Sequence, residues 1–145
     1  MNKYFQLNRL IVFFLAIGLL VLGFEIYLEH YHILEDKKAA WIPVIFGFVG
    51  GTITLLVGML FNRFSYYCFH VIMTCSVIVG CMGMYFHNLW RLQALVNYFV
   101  NKKPIGFEIL TEFTPLLAPS AFCAMGGLGI LIAIFNSWGT NDAVR

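Results

Sequence analysis

Charge is scarce in this chain. Lys, Arg, Asp and Glu together make up 11% of its 145 residues, against about 25% in ordinary soluble domains. That is too little to cover a water-facing surface, so a soluble globular fold is excluded. The net charge is only +2. No basic stretch alternates with aromatics, so a nucleic-acid partner is excluded too. Catalytic patterns are also missing. There is no His-Glu-x-x-His, no Gly-x-x-x-x-Gly-Lys and no Gly-x-Ser-x-Gly. Cys68, Cys75, Cys81 and Cys123 have neither the Cys-x-x-Cys spacing of a zinc site nor the Cys-x-x-Cys-His of covalent haem attachment. They read as small apolar packing residues.

What the chain has instead is hydrophobicity. Apolar residues make up 61% and aromatics 17%, and the mean hydropathy is +0.83. Four long apolar runs carry it: Leu10 to Leu28, Trp41 to Phe61, Ser65 to Phe86 and Pro115 to Phe135. A bilayer core about 30 Å thick needs about 20 helical residues to cross it. Each run is close to that length. Tyr27, Tyr31, Trp41, Tyr66, Tyr85 and Trp90 sit at run ends, as in an aromatic belt. The first run is too long for the core of a secretory signal and no Ala-x-Ala-like site follows it, so it is expected to be a retained span.

The expected fold is therefore all-α, a four-helix transmembrane bundle forming one integral membrane domain over residues 1–145. Its spans run over about 10–28, 41–61, 65–86 and 115–135. Between spans three and four, Leu89, Leu92, Leu95, Val96 and Phe99 recur at helical spacing. That pattern predicts an interfacial amphipathic helix ended by Lys102-Lys103-Pro104. Thr114 before Pro115 reads as a helix cap with proline at the first helical position.

Four spans place the N-terminus, the Asn62 turn and the C-terminus on one side. Basic residues are nearly balanced: Lys3, Arg9, Arg63 and Arg145 on that side, Lys37, Lys38, Arg91, Lys102 and Lys103 on the other. Those of the second side are diluted among Glu29, Glu35, Asp36, Glu108 and Glu112. The expected orientation has both termini in the cytoplasm.

Helices in lipid associate by close packing and hydrogen bonds, so small residues mark their contact faces. Gly47, Gly51, Thr54 and Gly58 form one such stripe in span two, and Ser76, Gly80, Gly83 and His87 another in span three. Span four is rich in Gly and Ala. In span one the stripe reads Gly18, Leu22, Glu25, Glu29 and His32. Parity brings His87 to the same membrane face as this acidic end. Glu25, Glu29, His30, His32 and His87 are thus the candidate site residues.

Three readings of that cluster stay open. These are ordinary polar groups at span ends in the first. In the second they hold a haem or a transition metal, since Glu29 and His32 make one Glu-x-x-His; di-metal bundles use two. In the third they handle protons or meet a quinone or lipid headgroup. His70 lies about one turn inside the opposite face and reads as a structural histidine. The methionines lack copper-motif spacing and read as packing.

Leu28-Glu29-His30-Tyr31, Trp41-Ile42-Pro43, Tyr85-x-His87-Asn88 and Pro115-Leu116-Leu117-Ala118-Pro119 together resemble small four-span inner-membrane proteins of bacteria whose function is unknown. The resemblance spans nearly the whole chain. It implies a bacterial inner-membrane setting and no particular chemistry. The functional expectation is a non-enzymatic accessory or partner-binding subunit in the lipid bilayer, within a larger membrane complex or a homo-oligomer. The alternative is a haem- or metal-binding redox subunit, or a proton- or quinone-handling protein.

Overall fold

A computed structural model describes residues 3–60, 62–102 and 117–135. Among these there is no strand. Four helices carry the fold: α1 (Lys3–His30), α2 (Trp41–Leu60), α3 (Arg63–Asn101) and α4 (Leu117–Phe135). Short 3-10 turns at Tyr31–Ile33 and Lys38–Ala40 join α1 to α2. Three segments, Leu7–Ile33, Lys38–Leu60 and Arg63–Leu89, are long and apolar enough to cross a membrane, as a membrane protein requires. Pro119–Phe135 is a shorter apolar helix. Residues 103–116 and those after Phe135 lie outside the described residues. The expected Thr114–Pro115 cap falls there.

Local chemistry sets the helix ends. Asn62 is extended (φ −120°, ψ −178°) and caps α3; its side-chain oxygen accepts from the Ser65 backbone N–H at 2.8 Å and from Ser65 Oγ at 3.0 Å. At the other end Lys102 turns left-handed (φ 50°), as helix termini commonly do. Arg9 Nε donates to the Gly58 carbonyl at 2.7 Å and Nη2 to that of Met59 at 3.3 Å. These are among the last carbonyls of α2, which have no helical partner. The contact also fixes the start of α1 beside the end of α2, so the two run antiparallel.

One expectation changes. The segment from Leu89 onward is helical, but it is the outer part of α3 and not an element of its own. No glycine or proline stands between Gly83 and Pro104, so nothing interrupts the helix there.

Glycine decides which helices touch most closely. A Cβ at Gly47 would lie 2.5 Å from the Gly23 Cα, so α1 and α2 meet backbone to backbone. A Cβ at Gly80 would lie 2.7 Å from the Pro119 carbonyl oxygen, and one at Gly126 2.6 Å from that of Met73. The chain is thus two close antiparallel pairs, α1 with α2 and α3 with α4. They join through a core of Leu15, Leu19, Ile26, Phe69, Met73 and Phe122. Buried Ser76 donates from Oγ to the Phe122 carbonyl at 2.9 Å, a hydrogen bond between α3 and α4. Large apolar side chains such as Phe14, Val21, Leu56 and Ile134 face outward on every helix. A hydrocarbon surround suits such a surface and water does not.

Candidate functional site

The end of α1 supplies the first half of the site. The ring of His30 turns back along its own helix, and Nδ1 lies 3.0 Å from the Ile26 carbonyl oxygen. A carbonyl only accepts, so Nδ1 carries the proton of the bond and Nε2 is left facing away from it. His87 comes from α3, one turn beyond Gly83. Its ring stands 5.7 Å from that of His30, centroid to centroid, at 81°. The contact is edge to face, a favoured arrangement for planar rings.

Beside this pair lies a cavity of about 30 Å³. Glu29, His30, His87, Pro43, Gly83 and Pro119 are among the residues lining it, with Ile26, Val79 and Phe122 as its apolar floor. All four helices contribute. Pro43 and Pro119 sit in the first turns of α2 and α4, where a missing N–H costs no helical bond. Gly83 leaves room for the Pro119 ring, which a Cβ would approach to 3.0 Å. A cavity of this size holds one water or two. Ligand pockets run from about 300 Å³ upward, so neither a haem nor a quinone fits inside it. Among the described residues no group of three His, Cys, Asp or Glu is placed to hold a metal ion.

The structure therefore brings Glu29, His30 and His87 to one cavity and leaves Glu25 and His32 off its walls. Both are exposed. The His32 ring rests on its neighbour Tyr31 at 5.5 Å. The reason is angular. A helix turns about 100° per residue, and the buried positions of α1 include Val12, Leu15, Leu19, Leu22 and Ile26. His30 continues that stripe. Glu29 lies at its edge, and Glu25 and His32 fall on the flank beyond. The expected stripe from Gly18 to His32 shares only Leu22 with the buried one.

Several lining residues were not among the candidates. Pro43 and Pro119 are two of them, each in the first turn of its helix. Trp41 latches the first connection by donating from Nε1 to the Leu34 carbonyl at 3.1 Å. His70 lies toward the other end of α3, stacked on Tyr66 at 6.3 Å. Its buried Nδ1 has no hydrogen-bond partner among the described residues. The Cys81 and Cys123 thiols approach to 3.7 Å across α3 and α4.

Comparison with known proteins finds no match: no family model, no curated protein and no solved structure is similar to this chain.

Proposed function

We propose that this chain is a four-span integral membrane protein, a single domain over residues 1–145, with a non-enzymatic role as a partner-binding accessory subunit. One observation carries this reading: α3 is 39 residues long, about 58 Å at 1.5 Å per residue, while a bilayer core is about 30 Å thick. Its outer part carries Val96, Tyr98, Phe99 and Val100 exposed, Phe99 at 76%. An apolar helix face beyond the membrane core calls for a protein surface or the membrane interface to cover it. In this reading α4 lies in the fourth span. Both termini face the cytoplasm of a bacterial inner membrane, and the His30–His87 end faces away from it. A photo-crosslinking amino acid in place of Phe99 tests it, with one in place of Leu131 as a lipid-facing control. A discrete protein adduct at position 99 and lipid adducts alone at 131 are expected. Lipid adducts alone at both positions would remove the partner-binding role.

A second reading rests on the cavity. Its volume suits water, and two imidazoles beside a carboxylate can pass a proton through one bridging molecule. Here Glu29, His30 and His87 act as proton-handling groups at one membrane face. Proton flux into liposomes, compared between the wild-type chain and His87→Leu, separates this role from the first. Equal flux removes it.

A further inference from the structure

The close pairing of α1 with α2 and of α3 with α4 leaves α2 and α3 less fully joined. Between them lies an open groove of about 590 Å³. Ile45, Val49 and Ile53 form its α2 wall, and Val71, Cys75 and Ile78 its α3 wall. Gly50 adds no side chain to fill it; a Cβ there would only touch the Phe46 ring and Ile72 at 3.4–3.5 Å. One end of the groove is different. Trp41 and Lys38 line it there, and Lys38 is the one charged residue among those lining it.

The dimensions select an occupant. From Trp41 to Ile53 α2 rises about 18 Å, slightly more than half of a 30 Å bilayer core. The groove therefore runs from the rim to just past the midplane, the depth of one leaflet. That length and an apolar lining suit one hydrocarbon chain. The groove's charge selects further. Lys38 is exposed at the rim and forms no ion pair among the described residues. Glu35 and Asp36, in the same connection, stay outside the groove.

We propose that the groove between α2 and α3 is a binding site for one anionic phospholipid. An acyl chain lies along Ile45, Val49 and Cys75, and the headgroup phosphate meets the Lys38 ammonium. Trp41, whose N–H is already held by Leu34, contributes its ring at the level where headgroup gives way to chain. The inference rests on the reading that α2 and α3 cross a bilayer. That reading fails separately, if the chain stays dispersed in water without detergent.

Native mass spectrometry of the full chain in mild detergent tests the site. The probes are phosphatidylglycerol and phosphatidylcholine with identical acyl chains, supplied in equal amounts. The wild-type chain should retain one phosphatidylglycerol in preference to phosphatidylcholine by about fivefold, the effect of one lysine beside an anionic surface. Lys38→Gln should retain both alike, while Lys37→Gln should keep the preference. Cys75→Trp, which plugs the groove, should retain neither. Equal retention of the two lipids by the wild-type chain would overturn the proposal, as would an unchanged preference in Lys38→Gln. So would a dimer dispersed by Cys75→Trp, which would give the groove to a second copy. Lys38 lies outside the core, so its variant reads the site whether or not Cys75→Trp folds.

Discussion

The rings of His30 and His87 meet edge to face across the end of the bundle, 5.7 Å apart. They come from the first and third helices, so the contact exists only when those helices dock in this register. It is a direct reporter of the fold at the site.

That contact predicts a coupling energy. At about pH 8, where histidine is ordinarily neutral, the double-mutant cycle of His30→Ala and His87→Ala should give about 0.5–1.5 kcal/mol of favourable interaction. Unfolding in mixed detergent micelles measures it. Strictly additive losses would show that the rings do not interact.

The adjacent glycines of α4 should respond oppositely to one methyl group. A Cβ at Gly126 meets the Met73 carbonyl and the Val77 side chain, whereas one at Gly127 meets nothing within 4 Å. Gly126→Ala should destabilise the bundle by about 2 kcal/mol or more, because backbone must move. Gly127→Ala should be neutral or stabilise by up to about 1 kcal/mol, through helix propensity alone. Thermal melts of the two variants decide; a matched loss would contradict the α3–α4 packing.

Ser76→Ala removes a hydrogen bond between helices and leaves the Phe122 carbonyl without it. A loss of about 0.5–1.5 kcal/mol is expected. Thr54→Val should cost less, since Thr54 Oγ1 donates to the Gly50 carbonyl of its own helix, at 2.7 Å, and no hydrogen bond between helices is lost. The ranking of the two variants in the same melt is the test.

Cysteine chemistry probes the same interface. Mild oxidation should join Cys81 to Cys123, whose sulfurs stand 3.7 Å apart, and leave Cys68 and Cys75 unpaired. Peptide mapping after alkylation reads the pairing. A link between Cys75 and any other cysteine would contradict the register of α3.

Much of the fold was legible because lipid imposes simple rules. The apolar runs marked the helices, and Gly47, Gly51, Gly58 and Gly80 marked close contacts, all four now buried. The site was legible in part. Helix parity alone places Glu29, His30 and His87 at one end. Which of five polar residues reach the cavity depends on helix rotation, and a stripe misread by one position leaves Glu25 and His32 off its walls. The break expected after Phe86 was not written in the sequence either. A shift in amphipathic pattern signals a change of surroundings, and only a helix breaker forces a change of direction.

The amino-acid sequence by itself determined the solvent: so few charges and so many long apolar runs leave hydrocarbon as the medium, and that dictates helices. Tertiary structure alone decided the rest. The pairing of α1 with α2 and α3 with α4, the small cavity beside His30 and the groove that ends at Lys38 all arise from how side-chain volumes mesh between helices. No residue carries that information in isolation, because it is a property of two surfaces in contact.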